Sequence, residues 1–332
     1  MSNVEVSRRE VLQLAGSVAC LAFAPAGGTA SANYPSKPVK LIVPFPPGGP
    51  IDTLGRLLAA AVGERIGQTI VVENRPGVGG NLGTDVVAKS ASDGYTLGLS
   101  GLQNFSVAPH IFKKMPYDPE RDFTFITRVV NLSGAIVAHP SAPFSNLSGL
   151  IAYAKANPGR LAYGSAGIGT TGHLAGAMLT AATGIQLQHV PYKGTAPMVQ
   201  ELLGGQILLA FESSLASAVP NIKSGKLKGI AVLSSERSSL LPDLPTVAES
   251  GVPGFEFSAW MGLVGPANLQ PDVVDLLNKS TRASLSNPEV AAKLSQIGLT
   301  PVTSTPQQFS EFVRSETVRW GRIVAQAKIT AD

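Results

Sequence analysis

Two short stretches of this 332-residue chain, one carrying paired glycines and the other glycines with hydroxyl residues, suit an anion. The first is Pro44-Phe45-Pro46-Pro47-Gly48-Gly49-Pro50-Ile51-Asp52. It joins the apolar run Val39–Phe45 to a stretch in which Leu54, Leu57, Leu58, Ala61 and Val62 share one helix face. Such a strand-to-helix turn leaves backbone N–H groups and a helix N-terminus facing the crevice beyond the strand ends. Phe45, Gly48 and Gly49 are therefore candidate ligand contacts, although an ordinary βα turn would be built from the same residues. Asp52 reads as the N-terminal cap of the helix. Its carboxylate would repel an anion, so no ligand contact is assigned to it.

The second stretch, Gly164-Ser165-Ala166-Gly167-Ile168-Gly169-Thr170-Thr171-Gly172-His173, again lies between a strand and a helix. Its glycines let the backbone approach a ligand, and Ser165, Thr170 and Thr171 supply neutral donors. His173 falls in the first turn of the helix, where a packed or capping role outweighs a catalytic one because no partner acid is near. Neither stretch contains Lys or Arg. An anion held there would rest on backbone N–H groups, helix N-termini and hydroxyls. Glu212 ends the strand-like run Gln206–Phe211, and a strand terminus in an α/β unit faces the ligand crevice. A solvated loop acid would read the same way.

Other chemistries are missing. Gly77-Val78-Gly79-Gly80-Asn81-Leu82-Gly83 lacks the G-x-G-x-x-G spacing, and no G-x-x-x-x-G-K-[ST] exists. There is no G-x-S-x-G elbow, no H-E-x-x-H, and no close pair among His110, His139, His173 and His189. No catalytic residue, metal site or cofactor is assigned. The single cysteine, Cys20, rules out a disulfide framework. With charged residues at 14%, aromatics at 6%, net charge +4 and no basic run, a nucleic-acid surface is excluded.

The elements that must position these loops alternate along the chain. Strands are expected at Val39–Phe45, Thr69–Glu73 and Tyr95–Leu99, separated by helices, an order that implies a parallel sheet. A second series starts near Asn131. It has strands at Gly134–His139, Leu161–Gly164, Leu187–Val190, Gln206–Phe211 and Lys228–Leu233, with helices at Leu147–Ala156, Gly172–Thr183, Ala196–Leu203 and Leu215–Lys223. A strand at Phe257–Val264 and helices at Asp272–Leu285, Pro288–Ile297 and Gln307–Lys328 follow. Two α/β units result, the second placed as an insertion in the first. Before them, Arg8-Arg9, the apolar run Val11–Phe23 and Ala30-Ser31-Ala32 mark residues 1–32 as a cleaved export signal, read by the twin-arginine or the general secretory route.

The chain resembles the Bug-type extracytoplasmic solute receptors of tripartite tricarboxylate transporters. The resemblance is carried by Tyr34-Pro35-Ser36-Lys37-Pro38, Ile42-Val43-Pro44-Phe45 with Gly48-Gly49 and Asp52, and Val72-Glu73-Asn74-Arg75-Pro76-Gly77 with Gly80-Asn81-Leu82-Gly83. It continues through Asp93-Gly94-Tyr95-Thr96-Leu97, Tyr117-Asp118-Pro119, Gly164-Ser165 with Gly167, Gly169 and His173, and Val190-Pro191-Tyr192-Lys193-Gly194. It ends at Leu244-Pro245-Thr246-Val247-Ala248-Glu249. The resemblance implies a periplasmic-binding-protein-like α/β fold of the type II flytrap kind, with a ligand cleft between two domains. Residues 33–132 with 254–332 would form one domain, and 133–253 the other. It further implies a monomer without cofactor that captures a small organic carboxylate and delivers it to the membrane subunits of a tripartite transporter. Its ligand contacts would be Phe45, Gly48, Gly49, Asn81, Ser165, Gly167, Thr170, Thr171 and Glu212, the last often Asp in the family. An exported α/β hydrolase or transferase, or the ligand-loaded partner of a membrane sensor, are the alternatives.

Overall fold

In the computed structural model, which describes residues 34–330, the apolar run Val39–Val43 becomes β1. The expected export signal, residues 1–32, lies outside the described residues. β1 pairs in parallel with β2 (Ile70–Asn74) and β3 (Thr96–Gly101), and α1 (Pro50–Ile66) and α2 (Asn81–Ala88) make the connections. A single wide π-type turn, Gln103–Val107, and α3 (Ala108–Ile111) then lead to β4 (Phe123–Leu132). The sequence reading places no strand at β4. Its Thr124, Arg128 and Asn131 are half-buried between buried neighbours, so its apolar pattern is diluted by polar residues that the sheet still accommodates.

Ser133 and Gly134 carry the chain into a second sheet. Its elements are β5 (Ala135–Ala138), α4 (Leu147–Ala156), β6 (Leu161–Ser165), α5 (Thr171–Thr183), β7 (Leu187–Pro191), α6 (Thr195–Leu203), β8 (Leu209–Glu212), α7 (Leu215–Lys223) and β9 (Lys228–Val232). The strand order is β7-β6-β8-β5-β9. Residues 233–258 return the chain to the first sheet, where β10 (Ala259–Pro266) runs antiparallel between β3 and β4. The chain finishes with α8 (Pro271–Leu285), α9 (Pro288–Gln296), β11 (Leu299–Pro301) and α10 (Pro306–Ala327), giving the order β11-β4-β10-β3-β1-β2. Both sheets are therefore mixed, not wholly parallel as the short βαβ connections imply. β10 arrives from the second sheet and not through a helical crossover, so nothing imposes the parallel sense of a βαβ unit.

The first sheet is held by aromatic packing around β10, which is buried along its whole length. Trp260 stacks on Phe105 with centroids 6.4 Å apart and meets Phe309 edge-on at 5.6 Å. Full burial of such side chains stabilises by roughly 1.5–3 kcal/mol each. α10 starts in a capping box between Thr305 and Gln308 and lays Phe309, Val313, Trp320 and Val324 on that core. Within it Glu316 accepts hydrogen bonds from both indoles, Trp260 Nε1 at 3.3 Å and Trp320 Nε1 at 3.2 Å.

Candidate functional site

The loop after β1 is organised by a carboxylate. Gly48 sits at φ +83°, and its N–H donates to Asp52 Oδ2 at 2.9 Å. Asn74 Nδ2 donates to Asp52 Oδ1 at 2.9 Å and to the Phe45 carbonyl at 3.0 Å, while Arg56 Nε donates to Asp52 Oδ2 at 3.0 Å. Burial would raise the Asp52 carboxyl, but the bonds from Arg56, Gly48 and Asn74 outweigh it and hold the group below the usual carboxylate range. Asp52 is not the N-cap residue expected from sequence. Gly49 occupies that position, and Asp52, in the first helical turn, reaches back to cap the loop. The Gly48 amide is thus engaged within its own loop, and the first-turn amides of α1 are what this segment can offer an anion.

Asn81 opens α2, directly after Gly80, which packs beside Pro44. Its side chain is buried, and its Oδ1 accepts from Asn104 Nδ2 at 3.1 Å and from the Tyr117 hydroxyl at 2.9 Å. Burial pushes that hydroxyl's pKa upward, so it stays a donor. With its oxygen so occupied, Asn81 has only its NH₂ to present to a ligand. The sequence reading gives Asn104 no role and names Tyr117 only within a family motif, because both reach Asn81 from distant positions in the chain.

In the second sheet the loop Ser165–Thr170 is braced from inside. Ser165 is fully buried, and its Oγ lies 2.7 Å from His189 Nε2 while accepting the Gly167 N–H at 3.2 Å. Thr170, the N-cap residue of α5, donates its hydroxyl to the Gly167 carbonyl at 2.7 Å. His173 Nδ1 accepts the Gly169 N–H at 3.1 Å, which fixes that nitrogen as unprotonated. His173 and His189 stack at 3.8 Å. Burial holds both imidazoles down to about 4, and the His173 neighbour adds to the effect at His189. Thr171 begins α5 and is half-buried, with no side-chain hydrogen bond among the described residues. His173 is therefore a packed, loop-bracing residue, in line with the sequence reading. His189 was missed. The signal lay in strand register, since β6 and β7 pair Tyr163 with His189 and Ser165 with Pro191.

Glu212 ends β8 beside this loop. A methyl group on Gly172, in the first turn of α5, would overlap the Phe211 carbonyl, so only glycine lets the helix start this close to the strand. The Glu212 side chain is fully buried; Oε2 accepts from Ser217 Oγ at 2.6 Å, and Oε1 has no partner. Burial pushes its carboxyl up to about 7, against the opposing pull of the Ser217 bond.

The structure thus gathers the candidates into two groups. Phe45, Gly48, Gly49 and Asn81 border the first sheet, and Ser165, Gly167, Thr170, Thr171 and Glu212 border the second. The halves meet where Gly169 packs against Ile111 of α3. A groove of about 690 Å³ along Arg56, Glu64, Gln68 and Val72 includes none of the candidates. Among the described residues no three His, Cys, Asp or Glu side chains gather as metal ligands. Ser165 and His189 share the contact of a hydrolytic dyad, but no Asp or Glu bonds to His189 among the described residues. What the arrangement offers is binding and not turnover: a helix N-terminus stands at a strand end on each sheet, that of α1 after β1 and that of α5 after β6.

Comparison with known proteins agrees. The family model described as tripartite tricarboxylate transporter family receptor matches residues 54–329. Protein BugT of Bordetella pertussis is 37% identical over 295 residues, 89% of this chain and 90% of BugT. A Rhodopseudomonas palustris protein solved with adipate superposes with a TM-score of 0.83 at 34% identity, covering 90% of this chain and 99% of that one. MatC of Rhodopseudomonas palustris, solved with bound malate, gives 0.78 at 32% identity, covering 88% and 100%. By this match along nearly the whole described chain, and by its two α/β halves of periplasmic-binding-protein type, the protein belongs to the tripartite tricarboxylate transporter receptors of the Bug kind.

Proposed function

We propose that this receptor captures a small organic carboxylate between its two halves in the periplasm and delivers it to the membrane subunits of a tripartite transporter. The observation that carries the reading is the pair of loops at the strand ends, Phe45–Asp52 with its glycines and Ser165–Thr171 with glycines and hydroxyls. They lack Lys and Arg, yet they border the N-termini of α1 and α5. Helix N-termini and backbone amides hold a carboxylate without a cation. The relatives solved with adipate and malate support this ligand class. Ser133–Gly134 and the segment 233–258 serve as the hinge between two domains. The protein acts as a monomer and as a binder, with no turnover.

The test is a thermal-shift screen with dicarboxylates, tricarboxylates and aromatic acids, followed by calorimetry, because a ligand of the closed form raises apparent stability. Stoichiometric binding of a carboxylate recovered chemically unchanged is the expected result, and a hydrolysed or oxidised product overturns it. Residues 1–32 act as the export signal. Intact mass of protein recovered from the periplasm should begin after Ala32, and a retained Met1 end would contradict this.

A further inference from the structure

The geometry points to Glu212 as the residue that selects, among carboxylates entering the crevice, those bearing a hydrogen-bond donor, hydroxyl or ammonium, within reach of its Oε1. This rests on the carboxylate reading above and names the ligand's second polar group. The Glu212 side chain is fully buried at the C-terminal end of β8, where strand ends of α/β units face ligands, and only one of its two oxygens is satisfied inside the protein, by Ser217. No ion pair to Lys, Arg or His reaches it among the described residues. The next residue, Ser213, also has a buried hydroxyl oxygen without a partner. Two consecutive residues with a buried, unsatisfied polar atom are unusual, since buried polar atoms are nearly always hydrogen-bonded.

The carboxyl group has little backbone freedom with which to find another partner. A methyl group on Gly134 would overlap the Glu212 carbonyl, and one on Gly172 would overlap that of Phe211, so the strand end is clamped between the start of β5 and the start of α5. An acid that brings a donor satisfies Oε1 and recovers the cost of its burial. An acid without one leaves that cost in place and adds its own desolvation. A site built to hydrogen-bond an OH or NH group rejects the analogue lacking it far more strongly than an apolar pocket rejects a methylene. The two donor types separate by their protons. Burial places the Glu212 carboxyl near neutrality, so an ammonium group draws its proton off on binding and a hydroxyl does not.

Calorimetry on the mature protein with two matched sets tests this: succinate, malate and aspartate; glutarate, 2-hydroxyglutarate and glutamate. In the skeleton that fits, the hydroxy or amino acid should bind at least about tenfold more tightly than the plain acid. Glu212→Met, which removes both acceptors at similar length, should erase the preference. Glu212→Gln, which keeps an acceptor but no charge, should erase a preference for the amino acid and preserve one for the hydroxy acid. Proton release, read from buffers of differing ionisation enthalpy, should accompany the amino acid alone. A plain acid binding the wild type as tightly as its substituted partners overturns the inference and leaves the carboxylate reading standing. A preference that survives Glu212→Met also overturns it. Absence of binding by all six acids removes both.

Discussion

His173 and His189 lie face to face, 3.8 Å apart and 4° from parallel, and each holds a different part of the same loop. His189 anchors Ser165 at one end, and His173 anchors Gly169 near the other. A proton on His173 Nδ1 would abolish its acceptance of the Gly169 N–H, and two adjacent imidazolium rings would repel. The loop is therefore built for neutral histidines.

The pH dependence of stability follows from these rings and from Glu212. The folded histidines titrate near 4, below the ordinary 6.5, so their contribution is full above 6.5 and is lost as pH falls through 4. Glu212 runs the other way. Its folded value near 7 lies above the ordinary 4.5, so its contribution is full below 4.5 and is lost as pH rises through 7. The two oppose each other over the same window. Melting temperature measured from pH 4 to 7.5 should fall more steeply on acidification in Glu212→Gln than in wild type. An identical slope would show that Glu212 does not titrate there.

Thr170→Val should act on the loop and not on a direct ligand contact, because the hydroxyl is already given to Gly167. Its loss should cost about 1 kcal/mol of stability. A several-fold drop in affinity should accompany it, and Thr170→Ser should restore both. Chemical denaturation and calorimetry on the two variants check this.

Two glycines should respond differently to alanine. At Gly48 an added methyl meets nothing within 4 Å, so the cost is backbone strain at positive φ, roughly 1–2 kcal/mol. At Gly172 the methyl runs into the Phe211 carbonyl, and overpacking of this kind costs roughly 1–3 kcal/mol. Gly172→Ala should also weaken ligand binding beyond its effect on stability, because the N-terminus of α5 must shift away from β8. Equal affinity in Gly172→Ala and wild type would separate that helix from the site.

The protein's two tryptophans both donate to Glu316. Glu316→Ala leaves two buried indole N–H groups without that acceptor, at about 1–3 kcal/mol each. A loss of several degrees in melting temperature and a changed emission maximum are expected, whereas Glu316→Gln, which retains an acceptor, should change both less. An unaltered emission spectrum in Glu316→Ala would mean that the indoles find other partners.

Much of the local structure was legible in the residues, and for physical reasons. Leu147–Ala156 and Leu215–Lys223 are helices with the expected bounds because Asn146 and Ser214 cap them by side-chain hydrogen bonds. Glu212 was marked as a strand terminus, and it is one, although the strand starts at Leu209 and not at Gln206. What was not legible depends on pairing. The antiparallel sense of β10 is decided by the route from the second sheet, and the bond from Ser165 to His189 by the register of β6 on β7. The role of Asp52 was misplaced because a carboxylate in the first turn can reach back past the N-cap, which residue type alone does not distinguish. Residue types located the candidate loops and the family resemblance picks the same two; neither shows that Gly48 and Thr170 spend their donors within them.

The two crossovers between the sheets also settle how the molecule bears tension. β1 and α10, the first and last long elements described, both belong to the first sheet's half, with β11 at one edge and β1 next to the other. Force applied at β1 and α10 enters the molecule through the first sheet's half. The second sheet hangs from this path by Ser133–Gly134 and residues 233–258, outside the loaded strands. Pulled from its ends, the protein should yield first in the sheet that holds its tryptophans, while the sheet that carries Ser165 and Glu212 stays folded as a shielded passenger.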